Sequence, residues 1–204
     1  MNQLIIIAHP RKDSFNYIIK EELVREFESR GDKVKVRDLY LNKFRPVLDF
    51  DELKYIKEGK TSPDIAVEQN YIEWSDQLIF IYPLWWNAFP GILKGYIDRV
   101  FTNGFAFKIT GNGPEGMLKN KKVRLITSAG MDEASLKKAN VFDSLTVTQD
   151  RGVFEFCGME VVDHFYITES TTLTEKEKEE ILETLIIKVG VERIGAFEKR
   201  VKSI

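Results

Sequence analysis

Five short apolar runs, each closed by a polar turn, divide the chain into alternating extended and helical stretches. Leu4 to Ala8, Val34 to Leu39, the LIFIY run Leu78 to Tyr82, Val123 to Thr127 and Glu160 to Thr168 read as strands. The first and third are continuous, branched apolar runs, as strands buried on both faces are. Between them the apolar positions switch to helical spacing. Ile19, Leu23 and Phe27 form one stripe, with Gly31 as a stop. Ile65 to Trp74 give a second helix, and Ile92, Leu93, Tyr96, Ile97, Val100 and Phe101 a third. On that third helix Lys94, Asp98 and Arg99 are expected on a solvated or ion-paired face. A helix is expected within Val141 to Cys157. The last helix opens on a Thr174–Glu177 capping box and buries Ile181, Leu182, Leu185, Ile186 and Val189, with Gly190 interrupting it before Ile194, Phe197 and Val201. Two polar segments fit neither pattern. Tyr40 to Gln69 holds a long stretch, residues 40–64, read as a loop with a short helix serving as a flap or interface; TGNGPEGMLKNKK is read as a loop.

Strands alternating with helices predict an α/β fold, a doubly wound parallel sheet with helices on both faces. Three turns then fall at strand carboxyl ends, where open α/β sheets bind ligands. After the first strand comes HPRKDSFN, in which Ser14 or Asp13 can cap the next helix. Backbone N–H groups and a positive dipole end there suit an anionic phosphate, although, taken alone, the turn is better accounted for by Ser14 as a plain cap and His9 as a loop residue. After the third strand comes PLWWNAFPG: Pro83 ends the run and Pro90 sits where a helix can begin. On an extended backbone Trp85 and Trp86 leave on opposite faces, so one core cannot hold both. Either one ring is core and the other covers a loop or subunit, or a flat ligand lies against this turn. After the fourth strand comes TSAGMDEAS, where N–H groups around Ser128, Ala129 and Gly130 can approach a planar polar ring closely. In the strand order 2-1-3-4-5, known from flavodoxin, the first and third strands flank the switch point at which FMN sits.

Composition narrows the setting. A chain of 204 residues suits one domain, 1–204, with a substantial core. A net charge of −2 with both signs interspersed advertises neither nucleic acid nor an anionic membrane. Cys157 is the only cysteine and has no internal partner; with no basic leader and no long apolar window, a soluble cytoplasmic protein is expected. GxGxxG and Walker motifs are absent, so a Rossmann dinucleotide site or a P-loop has no support. His164 lies inside the fifth strand pattern and reads as structural.

The motifs, in order, are AHP followed by SFN, DLY, PDI with EQ, PLWW, PGILKGYIDRVF, GFAF, GPEGMLKNKK and FCGMEV. In this order they resemble the flavodoxin-like NAD(P)H:quinone oxidoreductases over most of the chain. The PLWW to GFAF block is the most specific part. The resemblance implies flavin phosphate contacts from His9, Ser14, Phe15 and Asn16. It implies isoalloxazine contacts from Pro83, Leu84, Trp85, Trp86 and Asn87, and from Thr127, Ser128, Ala129 and Gly130. It implies substrate-side contacts from Phe105, Phe107 and Ile109, with Phe105 and Phe107 reaching toward a partner subunit's flavin, hence a homodimer. The implied activity is hydride transfer from NAD(P)H through the flavin to a quinone or similar small acceptor. FMN is favoured over FAD because the C-terminus is short, and N–H groups near Ala129 and Gly130 are candidates for stabilising reduced-flavin charge.

One departure stands out. Members of the family usually carry TGG and then a Tyr–His pair after the fourth strand; here the loop is TSAGMDEASLKKAN, with neither. The catalytic group is therefore left open beyond the flavin. Phe107 and Ile109 stand where relatives often have tyrosines, which makes the acceptor pocket more apolar. Two further readings remain. A flavodoxin-type electron carrier is disfavoured by the weak net charge and by HPRKDSFN in place of a Thr/Ser/Gly-rich phosphate loop. An ancillary regulatory subunit of a potassium-efflux system would show itself by co-purifying with a membrane partner.

Overall fold

The computed structural model describes residues 1–201, with side chains to residue 189. Its centre is a five-stranded parallel sheet in the order β2-β1-β3-β6-β7. The strands are β1 (Asn2–Ile7), β2 (Lys33–Asp38), β3 (Gln77–Pro83), β6 (Lys122–Ser128) and β7 (Glu160–Ile167). All four pairings are parallel, in the expected order, and a bulge interrupts the β6–β7 register between Val123 and Arg124. β3 is buried at every position, as its unbroken apolar run requires.

Period-two alternation sends the strand side chains to two separate cores. Leu4, Ile6, Phe80, Tyr82, Val123 and Leu125 pack toward α3 (Pro63–Trp74) and α4 (Gly91–Val100). Ile5, Ile7, Ile79, Ile81 and Ile126 pack toward α1 (Phe15–Ser29) and α7 (Glu175–Val201). In the α7 stripe Leu185 and Val189 are buried, while Ile181 and Leu182 pack at its border. The expectations for Gly190, Ile194, Phe197 and Val201 lie outside the described side chains.

Three segments take a more definite form than the sequence reading gave them. The 40–64 stretch contains the short helix expected there, α2 (Phe50–Lys57), capped by Asp49, whose Oδ1 accepts from the Glu52 N–H at 2.9 Å. This flap is pinned rather than loose. Arg99 takes the ion-paired of the two expected settings, and is buried: it donates to Glu52 at 2.7 and 2.9 Å, to Asp64 at 2.8 Å and to the Arg45 carbonyl at 2.6 Å. Gly95 lies flush against Pro46, so any side chain there would overlap the flap backbone. The TGNGPEG loop is a two-stranded antiparallel hairpin, β4 (Phe107–Thr110) and β5 (Gly113–Gly116), whose Gly113 turns at φ +106°. Its glycines masked the period-two signal. The Val141–Cys157 helix begins as α6 (Val141–Leu145) and continues as a π-helix, Thr146–Glu155. It follows α5 (Glu133–Lys138), capped by Asp132, which the polar MDEASLKK run concealed.

Candidate active site

The carboxyl ends of β1, β3 and β6 meet, and backbone hydrogen bonds lock their turns together. Ala8 N–H donates to the Ile81 carbonyl at 3.0 Å, and Leu84 N–H to the Ser128 carbonyl at 2.7 Å. Side chains repeat the link: the His9 and Trp85 rings lie 6.4 Å apart, and Leu84 packs against the small cluster holding Ala129, Leu136, Val141 and Leu145.

The first turn frames a cavity of about 230 Å³ lined by His9, Arg11, Asp13, Ser14, Phe15 and Asn16, with Ser128 on the opposite wall. Ser14 is the residue preceding α1, but its side chain caps nothing. Its Oγ and the Asn16 Nδ2 are buried, each without a hydrogen-bond partner. Leaving such groups unmade costs about 1–3 kcal/mol apiece, so a ligand supplying acceptors at the first turn of α1 would recover that. Asp13 does not cap the helix either; it pairs with Arg11 at 2.8 Å. His9 Nδ1 accepts from the Arg11 N–H at 3.1 Å, and partial burial holds its imidazole below the usual histidine range.

The second turn corrects the extended-backbone expectation. Trp86 and Asn87 both adopt left-handed backbone, φ +54° and +53°, inside a tight turn closed by Ala88 N–H to the Trp85 carbonyl at 3.1 Å. Two central residues at positive φ make this a type I′ geometry, costly for a ring as large as tryptophan. Neither indole is core: Trp85 is 42% and Trp86 99% exposed. The reading in which one ring is buried falls, and both are left facing outward above the sheet.

The third turn is anchored rather than open. Thr127 and Ser128 are buried at the end of β6. Ala129 N–H donates to the Ile167 carbonyl at 2.8 Å, so that donor is already used within the protein. The Ala129 carbonyl accepts from Ser170 N–H at 2.9 Å, which draws in a fourth segment absent from the sequence reading. Ser170, Thr171, Leu173 and Lys178 complete the cavity wall. The only sequence signal for them is the Ser/Thr-rich run before the last helix.

Phe105, Phe107 and Ile109 stand elsewhere. Phe105 packs at the border of the α3–α4 core, Phe107 contacts the Phe156 ring at 5.3 Å and Ile109 is 66% exposed. None of them lines the cavity of its own chain.

The family model for the flavodoxin-like fold matches residues 1–189. The chain belongs to the flavodoxin-like fold family. An uncharacterized NAD(P)H oxidoreductase from Haemophilus influenzae is 35% identical over 184 residues, 90% of this chain and 91% of that protein. NAD(P)H dehydrogenase [quinone] 1 of Cavia porcellus is 36% identical over 180 residues, covering 78% of this chain and 66% of its own length. Among solved structures, the NAD(P)H:quinone oxidoreductase of Methanothermobacter marburgensis superposes with a TM-score of 0.82 at 26% identity, over 90% of this chain and 94% of that one. Within the flavodoxin-like family these relatives make the chain an oxidoreductase of the NAD(P)H dehydrogenase (quinone) kind. Among the described residues no helix is long and apolar enough to cross a membrane, and no cluster of His, Cys, Asp and Glu could hold a metal ion.

Proposed function

We propose that the chain is a flavin-dependent NAD(P)H oxidoreductase acting on quinones or similar small acceptors, with FMN as its flavin. The observation that carries this reading is the pair of buried, unpartnered polar groups, Ser14 Oγ and Asn16 Nδ2, at the positive end of a 15-residue helix. A phosphate monoester offers several acceptor oxygens and negative charge at that place, and so satisfies both groups and the dipole. Ser128 faces the same space, and the turn of Pro83, Leu84, Trp85, Trp86 and Asn87 would form a wall for the ring system. Two FMN complexes of the same fold, an NADH-azoreductase from Bacillus anthracis and a general stress protein from Treponema denticola, illustrate the fold's use for this group.

When bound, the flavin supplies the hydride chemistry. The residues bind and orient it: Ser14 and Asn16 hold the phosphate, and the locked turns fix the ring's place over the sheet edge. The nicotinamide and then the acceptor would use the same exposed face of the ring. Phe105, Phe107 and Ile109 reach a flavin only across a dimer, which is part of the proposal. FAD is the second reading, favoured by one observation: the cavity continues from Ser14 to Arg11 and Lys178, two cations suited to a further phosphate.

Chromatography of the flavin released on denaturation decides between FMN and FAD, and FMN is the expected product. Anaerobic mixing with NADH and NADPH is expected to bleach the bound flavin within seconds. A protein that takes up neither flavin ends this reading, and one whose flavin is reduced only by artificial donors is a carrier instead.

A further inference from the structure

The π-helix packed over the outer half of the sheet buries two consecutive polar residues, Gln149 and Asp150. Windings of this kind are rare and concentrate at functional sites. Gln149 Oε1 accepts from the Tyr82 hydroxyl at 2.6 Å, at the carboxyl end of β3. Asp150 Oδ1 lies 2.8 Å from His164 Nδ1 on the edge strand, and His164 Nε2 lies 2.9 Å from Thr127 Oγ1 at the carboxyl end of β6. One helical step thus reaches the ends of both strands whose turns form the candidate ring wall. Tyr166 stacks on the imidazole, 4.1 Å between centroids at 24°, with its hydroxyl 3.0 Å from Nδ1.

The donor inventory gives this network a direction. A carboxylate only accepts, so Asp150 takes the Nδ1–H, and in the neutral ring Nε2 is left as an acceptor. With the ring neutral Thr127 Oγ–H donates to Nε2, and with it protonated Nε2–H donates to Thr127 Oγ; either way the hydroxyl is held against β7. The His164 and Asp150 side chains are only 5% and 10% exposed. Apolar side chains of similar volume would pack there without desolvating a charge, so stability alone does not call for the pair.

We propose that His164, oriented by Asp150, is a positioning residue for the flavin ring: by holding Thr127 it sets the turn Ser128–Gly130 that faces the ring's polar edge. The proposal rests on the flavin reading above and adds a residue that no loop motif contains.

The test titrates flavin, oxidised and dithionite-reduced, into His164→Ala, His164→Gln, Asp150→Asn, Thr127→Val and the His164→Ala/Thr127→Val pair, with thermal melts of each. His164→Ala is expected to raise the flavin dissociation constant about tenfold. The loss should be unequal between the two redox forms; a tenfold inequality moves the two-electron midpoint by about 30 mV. Gln at 164, whose amide can still reach Thr127, should recover part of the loss, and the double variant should be no weaker than His164→Ala alone. A His164→Ala protein that melts normally and binds both forms like the parent overturns the proposal, as does a double variant whose losses simply add. If His164→Ala fails to fold, Asp150→Asn carries the decision, and unchanged binding of both forms there overturns it. A parent protein that takes up neither flavin overturns the flavin reading itself, which keeps the two failures apart.

Discussion

Asn16 shows how much one side chain can carry. It is 2% exposed, yet its Nδ2 has no acceptor in the protein. Replacing it with leucine, of similar volume, removes an unmet donor, so the flavin-free protein should melt no lower than the parent. Flavin affinity should nevertheless fall about tenfold, the worth of one hydrogen bond to a charged acceptor; fluorescence titration and thermal melting measure the two effects, and a variant weakened in both would assign Asn16 to the core instead. His9 adds a pH dependence. Burial lowers its imidazole below the usual 6.5, so the free protein loses a little stability as pH falls through that value. A phosphate beside it would favour the imidazolium, so binding takes up a proton and flavin affinity should rise several-fold from pH 8 to pH 6.5. Calorimetry in buffers of different ionisation enthalpy detects that proton, and His9→Asn should abolish it. Cys157 behaves oppositely: burial pushes its thiol up to about 12. Because only the thiolate reacts, alkylation at pH 8 should be negligible in the native protein and complete in denaturant, as followed by mass spectrometry.

Among the elements, those whose side chains repeat with one clean period were legible in the sequence. The five strands and α1, α3, α4 and α7 follow from β-branched runs and helical stripes, and their order then places the three turns at one sheet edge. The misses share a cause: their stability comes from partners remote in sequence. The short helix expected within residues 40–64 could not be placed, because α2 is held through Glu52 by Arg99, 47 residues away, and no periodicity within DFDELKYIK marks its bounds. The β4–β5 hairpin is glycine-rich because Gly116 lies against the Cys157–Gly158 backbone, a contact no local pattern records. At the site, Ser14 and Asn16 could be found from the turn, whereas Lys178 and Ser170 come from a segment that returns more than 150 residues later. The flap pin gives an element-scale prediction. Arg99→Met should leave the buried Glu52 carboxylate uncompensated and cost about 3–5 kcal/mol in urea unfolding. Replacing Glu52 by Gln in the same protein should restore a good part of it, because the stranded charge is then gone.

At the scale of the whole molecule, the question is what covers the apolar groups the fold leaves outside. Trp86 is 99% exposed, Phe50 80%, Val47 70% and Ile109 66%, drawn from the ring-wall turn, the flap and the hairpin. Scattered exposed apolar residues are ordinary, but a tryptophan held out on a left-handed turn is not. Covering one indole removes roughly 200 Å² from water, about 5 kcal/mol, which is a large driving force for association. The flap that carries Val47 and Phe50 is rigidly pinned by Arg99, so a surface built on it would need little ordering on binding. A second copy of the chain is the proposed occupant, since Phe105, Phe107 and Ile109 line no part of the candidate cavity in their own chain. Sedimentation should therefore give twice the 23.7 kDa chain mass at micromolar concentration. Trp86→Glu and Phe50→Glu together should yield the single-chain mass, with the fold kept and NAD(P)H-driven bleaching slowed at least tenfold. A parent protein that sediments at 23.7 kDa while fully active would show that one chain suffices, and the hairpin residues would then have no part in the reaction.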